Sequence, residues 1–148
     1  MRYLALLAIA ATATLAPAQM HHAMAAKNLK WGPPPPGLPK GAKLAVLQGD
    51  PGKAGLFTIR ATMPNGYKVM PHWHSNDEMV TVLSGHIYMG MGDKLDLKHA
   101  DLVGPGGFMA MPAKAHHYVQ ARGPVVIQVH AMGPFDINYI NPKDDPRK

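Results

Sequence analysis

The chain has 148 residues, which is enough for one domain with a sizeable core and too few for two domains of ordinary size. Apolar residues make up 47% of it, charged residues only 16%, and its net charge of +6 comes from scattered Lys and Arg without a basic run, so we expect a folded protein that does not bind nucleic acid. There is no cysteine, which excludes disulfides and thiolate metal ligands.

Residues 1–18 have the three parts of a secretory signal peptide. A basic start precedes an apolar run over residues 4–15, and Ala16-Pro17-Ala18 has the small-x-small form that signal peptidase cuts after. The run is shorter than the roughly 18 apolar residues that a membrane anchor needs. We therefore expect a periplasmic or secreted protein that has no membrane attachment once the signal peptide is removed.

Cleavage after Ala18 would give a mature N-terminus that reads Gln19-Met20-His21. A free α-amine, two backbone amides and an imidazole at the third position can surround Cu(II) or Ni(II) in a square plane. The alternative is an unstructured start whose histidines bind nothing. We expect residues 19–42 to be flexible at first and then to form a stiff polyproline arm, since residues 33–36 are all proline. The arm can lie on its own domain or on a second subunit.

Short apolar segments separated by Gly and Pro turns fill residues 43–141, and no helical period is sustained. This spacing predicts an all-β sandwich or barrel with little helix, followed by a polar tail over residues 142–148. Residues 79–83 and 86–91 are predicted to form a hairpin that turns at Ser84-Gly85. The other predicted strands cover residues 44–47, 56–62, the segment between Gly107 and Met111, 125–131 and 135–140.

The residues with the clearest chemistry are His72 and His74, which one residue separates. On an extended strand both imidazoles point to the same side, because strand side chains alternate. A carboxylate follows at Asp77 or Glu78. Imidazole nitrogens and a carboxylate oxygen at one point are ligands for a first-row transition metal, so the pattern predicts a mononuclear metal site.

This stretch resembles the first sequence motif of the cupins: Gly66, five residues, His72-Trp73-His74, three residues, Glu78, six residues and Gly85. The second cupin motif is matched in part. Its glycine, proline and histidine fit Gly106, Pro112 and His117, whereas Lys114 and Ala121 stand where that motif has a second glycine and an asparagine.

The resemblance implies a small jelly-roll β-barrel in which His72, His74, Glu78 and His117 bind one divalent metal. His116 competes with His117 for the fourth position. The ligand types suit Mn, Fe, Co, Ni or Zn about equally, and copper less well. The resemblance also implies a single-domain exported cupin that forms a homodimer by exchange of an N-terminal strand or arm, here residues 31–47.

Gln128 and His130 are candidate catalytic residues on the segment 125–131, because they share one strand face. If that face lines the pocket, His130 can act as general acid or base and Gln128 can bind the substrate. The alternative is that the face is exposed to solvent.

Two functions remain open from the sequence. The first is a metal-dependent enzyme acting on a small organic molecule, with oxygenase, lyase, isomerase and hydrolase reactions all possible on this barrel. The second is a non-catalytic periplasmic binder or sensor of a metal or ligand.

Overall fold

A computed structural model describes residues 23–148, so the predicted signal peptide and the Gln19-Met20-His21 copper site lie outside the described residues. Strands are the main regular structure of the described chain, with one short 3₁₀ helix before them (Ala26–Asn28) and one after them (Pro142–Asp144). None of its helices is long and apolar enough to cross a membrane. The strands are β1 (Lys43–Gln48), β2 (Gly55–Met63), β3 (Lys68–Trp73), β4 (Glu78–Met91), β5 (Asp101–Val103), β6 (Phe108–Met111), β7 (His117–Gly133) and β8 (Asn138–Tyr139).

The long strands β4 and β7 pair antiparallel over most of their length and form the spine of the fold. The second half of β7 pairs with β2, which continues to β1, and the first half of β4 pairs with β6. The first half of β7 pairs with β3, which continues to β8, and the second half of β4 pairs with β5. The first layer therefore holds β1, β2, β6, the first half of β4 and the second half of β7. The second layer holds β3, β5, β8 and the other halves of β4 and β7. The two layers face each other, which confirms the predicted jelly-roll sandwich.

The spine bends at Gly85, where we had expected a hairpin turn, and that prediction is wrong. Between the pairs Ser84–Val126 and His86–Arg122, β4 supplies Gly85 alone while β7 supplies three residues. Gly85 has a φ of 74°, a conformation that favours glycine. The irregularity is a β-bulge that lets one continuous strand pass from the first layer to the second.

The strand predicted over residues 135–140 is also shorter than expected, since only Asn138–Tyr139 pairs with β3. The reason lies in the preceding backbone. The carbonyl of Asp136 accepts a hydrogen bond from a histidine ring at the site described below, so it is not free to join a strand ladder.

The core lies between the two layers, and an open cavity extends through it to the surface. The proline arm crosses the cavity mouth on its own domain. Gly32 pairs with Leu44 of β1, Tyr67 donates a hydrogen bond to the carbonyl of Pro39 at 2.7 Å, and Tyr139 donates one to that of Gly37 at 2.9 Å.

Candidate metal centre

Three histidines meet at one end of the cavity because three strand ends meet there. His72 lies in β3 and pairs directly with His117, the first residue of β7, while His74 follows the end of β3. The ring centroid of His72 lies 4.2 Å from that of His117 and 4.9 Å from that of His74. All three side chains are buried, with exposed fractions of 4% or less. Glu78, the first residue of β4, closes the group.

Each imidazole is oriented by a backbone carbonyl that accepts a hydrogen bond from its Nδ1. His72 donates to Met70 at 2.7 Å, His74 to Asp136 at 2.5 Å and His117 to the carbonyl of residue 115 at 2.9 Å. A neutral imidazole that donates from Nδ1 has a free lone pair on Nε2. The backbone therefore fixes the tautomer that binds metal through Nε2.

The remaining ring atoms fit a metal ion. Ligand atoms of the three histidines all lie within 4.8 Å of one another. The Nε2 atoms of His74 and His117 are buried without a hydrogen-bond partner, and each lies 3.5 Å from Oε2 of Glu78. Buried polar atoms without a partner are rare in native proteins, and one bound cation would satisfy these together. His72, His74 and His117 are thus placed to hold one metal ion, with the Glu78 carboxylate beside two of them.

The electrostatics of the group favour cation binding at neutral pH. Burial, together with the neighbouring His117 and His74, lowers the pKa of His72 to about 3, so its ring is neutral. Burial alone would raise the pKa of Glu78, but the adjacent imidazoles of His117 and His74 outweigh it and lower that pKa to about 2. The site therefore presents a neutral imidazole and an ionised carboxylate, the forms in which these side chains bind metals.

The two competing ligands lie elsewhere. His116 is bonded through Nδ1 to the Asp93 carboxylate at 2.5 Å, and Asp77 accepts a hydrogen bond from the backbone of Ala113 at 2.7 Å. Lys114, which replaces the second motif's glycine, keeps a left-handed φ of 63° and donates its N–H to the His74 carbonyl at 2.8 Å. The turn that leads into His117 is therefore kept without glycine.

Gln128 and His130 do not reach the cavity. The same strand's Ile127 and Val129 line it, so the side chains at 128 and 130 are on the opposite face. There His130 bonds to the hydroxyl of Thr58 at 3.0 Å and to Gln128 at 3.1 Å. The condition on which we gave these two residues a catalytic role, that their face lines the pocket, is not met.

The structure also adds residues that the sequence did not indicate. The ring of Phe135 stacks on that of His74, with centroids 4.3 Å apart and an interplanar angle of 22°. Asp136 orients the same histidine through its carbonyl, and Tyr67 lines the cavity. No spacing rule links residues 135 and 136 to a histidine more than sixty positions away, so only the folded chain reveals them.

The cavity above the histidines has a volume of about 720 Å³ and is lined mainly by apolar side chains from both layers and the proline arm. Such a volume is within the range of sites for drug-sized ligands. Met89 and Met109 are buried in its wall. The arrangement can hold a metal ion at one end and a small organic molecule beside it.

The family model described as Domain of unknown function (DUF4437) matches residues 18–138. A search of curated protein sequences found no match. Solved structures that resemble the chain include the polyketide cyclase RemF from Streptomyces resistomycificus, which is 19% identical, with a TM-score of 0.70 over 86% of this chain and 91% of that one.

Two further structures have lower scores. An RmlC-like cupin from Shewanella frigidimarina is 13% identical, with a TM-score of 0.59 over 78% of this chain and 94% of that one. The lyase DddQ from Ruegeria pomeroyi, described as a DMSP lyase, is 19% identical, with a TM-score of 0.62 over 78% of this chain and 62% of that one. At these identities the likeness establishes the fold, which is that of the cupins.

Proposed function

This chain belongs to the DUF4437 family, a domain of unknown function, and we propose that it is a divalent-metal-binding cupin that acts as an enzyme on a small organic molecule. One observation carries the proposal. Three buried imidazoles at the end of a large cavity have their Nδ1 atoms held by backbone carbonyls, and the Nε2 atoms of two of them lie beside Glu78. The fold brings these groups together at the cost of leaving two buried nitrogens without partners, which a metal would satisfy.

Within this proposal His72, His74, Glu78 and His117 hold the ion. Four protein ligands leave one or two positions on a five- or six-coordinate metal, which is typical of catalytic and not of closed structural sites. When bound, the metal supplies a Lewis acid that polarises an oxygen of the substrate. The apolar walls exclude water and thereby strengthen electrostatic interactions at that end of the cavity. The ligand types suit Mn, Fe, Co, Ni or Zn.

The second candidate, a non-catalytic metal or ligand binder, is favoured by a different observation. Apart from the four proposed ligands, the titratable side chains among the described residues lining the cavity are all engaged elsewhere. Tyr67 donates to the arm, Asp136 accepts from Ser75 and Asn138, and Arg147 is paired with Asp145. A reaction that needs a separate proton-transfer group would not find a free one here.

The test is the metal content of protein purified from the source cells. We expect about one divalent ion per chain in the wild type and none in a His72→Ala/His74→Ala double variant. His116→Ala is the matched control, since it removes an exposed histidine next to a proposed ligand. Equal metal in wild type and double variant would overturn the proposal. Turnover of a panel of carbonyl, phenolic and sugar-acid compounds then separates an enzyme from a binder.

We also propose that the chain is exported and forms a homodimer. Export is supported by the signal-peptide pattern of residues 1–18. Dimer formation is supported by large apolar side chains that are 38% to 60% exposed on strands of the first layer: Leu56, Met79, Leu83, Phe108 and Met132. Analytical ultracentrifugation of the wild type and of Phe108→Glu tests the dimer, and a wild-type monomer at micromolar concentration would exclude it. N-terminal sequencing of the mature protein tests export.

A further inference from the structure

The walls of the cavity offer a ligand almost nothing to bind except apolar surface. Both layers contribute aliphatic side chains, and the proline arm adds further apolar groups at the mouth. The lining from the two layers includes Ile59, Ala61, Met63, Val69, Val80, Ile87, Met89, Met109, Val119, Ile127, Val129 and Ile137. Most of these residues are less than a tenth exposed, so they form a rigid core surface and not a solvated groove.

The two charged side chains that line the cavity outside the metal centre, among the described residues, already have protein partners. The carboxylate of Asp136 accepts hydrogen bonds from the N–H of Ser75 at 2.8 Å, from its hydroxyl at 2.7 Å and from Asn138 at 2.8 Å. The guanidinium of Arg147 donates to Asp145 at 2.7 Å and to the carbonyl of Ile137 at 3.0 Å. Both charged groups are therefore already held by partners within the protein.

From this lining we propose the class of substrate: an apolar ring compound of up to several rings that carries one hydroxyl or carbonyl oxygen, with the rings against the walls and the oxygen toward His72, His74, Glu78 and His117. The inference rests on the proposed function, because a metal at these residues is what attracts the oxygen. It goes further by stating which small molecules are selected and which are rejected.

Sugars, sugar acids and zwitterions are rejected for a physical reason. Each hydroxyl or charge that enters an apolar wall loses its water without gaining a partner, at a cost of roughly ten-fold in affinity per unpaired group. The hydroxyl of Tyr67, the polar group on the wall above the metal centre, already donates to Pro39. A ring compound with a single oxygen places its one polar atom at the metal centre, which forms the floor of the cavity, and avoids this cost.

The shape of the cavity gives the inference a second support. A volume of about 720 Å³ exceeds the need of a two- or three-carbon acid and suits a ligand of drug size. Met63, Met89 and Met109 lie in the wall, and methionine side chains adapt to ligands of different outline because they are unbranched and flexible. We expect a preference for apolar rings in general, with modest discrimination among ring shapes.

The experiment uses the full mature chain loaded with Zn(II), and the neutral fluorophore N-phenyl-1-naphthylamine as reporter of the apolar cavity. We expect 1-naphthol to displace the reporter at a concentration about ten-fold lower than naphthalene, and glucuronate to fail at a concentration about 100-fold higher than that of 1-naphthol. Displacement by glucuronate as effective as that by 1-naphthol would overturn the proposed class. Equal displacement by naphthalene and 1-naphthol would overturn the placement of the oxygen.

Two variants show that the reporter occupies this cavity. Ala61→Phe fills the cavity from β2. Val46→Lys puts a charge at the mouth of the cavity, where the side chain is half exposed and a substitution disturbs folding less. We expect both to weaken reporter binding about ten-fold, whereas Thr62→Phe, which adds bulk on the opposite face of β2, leaves it unchanged. Reporter binding that neither Ala61→Phe nor Val46→Lys weakens would refute the assignment.

Failure of this inference is separable from failure of the proposed function. Zn(II) binding is measured by calorimetry without any organic probe, for the wild type and the His72→Ala/His74→Ala variant. If the metal binds and 1-naphthol does not, the substrate class falls and the metal proposal stands. If 1-naphthol binds but no metal does, the proposed function falls, and the oxygen's preference for the floor falls with it.

Discussion

Replacing Gly85 with alanine tests whether the β-bulge at Gly85 sets the geometry of the metal centre. Glu78 lies on the half of β4 before the bend, and His117 lies on the half of β7 that pairs after it. The 3.5 Å separation between their ligand atoms therefore depends on the angle of the spine. A side chain at residue 85 would collide with the carbonyl oxygen of Pro124 and lie 2.9 Å from the Cα of Val125, both in the backbone.

The magnitude follows from two contributions. An alanine at a φ of 74° carries the left-handed strain of about 1–2 kcal/mol, offset by about 0.4–1 kcal/mol from the smaller entropy of the unfolded chain. Forcing the two backbones of the bulge apart adds about 1–3 kcal/mol. We expect Gly85→Ala to lower the free energy of unfolding by roughly 2–4 kcal/mol. Zn(II) affinity should fall about ten-fold because the two halves of the ligand set separate.

The matched control is Gly66→Ala. Gly66 has a φ of 75°, and no atom outside its chain neighbours lies within 4 Å of the position of an added methyl group. Gly66→Ala should lower the free energy of unfolding only by the backbone strain, about 1 kcal/mol, and keep the wild-type metal affinity. Urea denaturation of the metal-free proteins and calorimetric Zn(II) titration measure both quantities.

The comparison can fail in two ways. Equal loss of stability in both variants would show that the bulge opens without cost, and the close packing against Pro124 would then have no energetic weight. Unchanged Zn(II) affinity in a destabilised but folded Gly85→Ala protein would show that the bend of the spine does not control the metal centre.

Three further outcomes are expected. In calorimetry, His117→Ala should lower Zn(II) affinity about 100-fold or more and His116→Ala less than two-fold, because only His117 lies with the other two histidines. The reverse order would show that His116 is the ligand. Lys114→Gly should raise the free energy of unfolding by about 0.5–1 kcal/mol, because its exposed side chain is held at a φ of 63°, and a loss on urea denaturation would contradict this. Tyr67→Phe should lower the free energy of unfolding by about 1 kcal/mol, because it removes the hydrogen bond that holds the arm. It should also speed release of the naphthylamine reporter in stopped flow. An unchanged release rate would show that the arm does not close the mouth of the cavity.

Local pattern was enough to predict most of the strands and the histidine pair. The predicted strands at residues 44–47 and 56–62 lie within β1 and β2. Short apolar runs between Gly and Pro turns are typical of strands, so local pattern sufficed there. The prediction at Ser84-Gly85 was wrong because a glycine at positive φ serves a hairpin and a bulge equally well. Which one forms depends on β7, some forty residues away, and no local spacing contains that pairing.

The same limit applies to the site. The spacing in the first motif selects Glu78 over Asp77, and the structure places Glu78 beside the histidines. The face of β7 that carries Gln128 and His130 was not predictable, because an alternating strand shows two faces and only the tertiary pairing decides which is inside. The sequence also gave no sign of Phe135 and Asp136, whose roles come from a ring stack and a carbonyl.

The positions of the protonatable side chains in and around the cavity restrict the reactions that it can support. Burial raises the pKa of Tyr67 to about 12, so its hydroxyl is protonated at neutral pH and cannot act as a base. His130, the base expected from the sequence, bonds to Thr58 on the outer face. Glu78, with its pKa held near 2, stays ionised at neutral pH and is only a weak base. An enzyme built on this site would favour reactions that depend mainly on polarising one oxygen of the substrate, and this agrees with the proposed preference for apolar rings bearing a single oxygen.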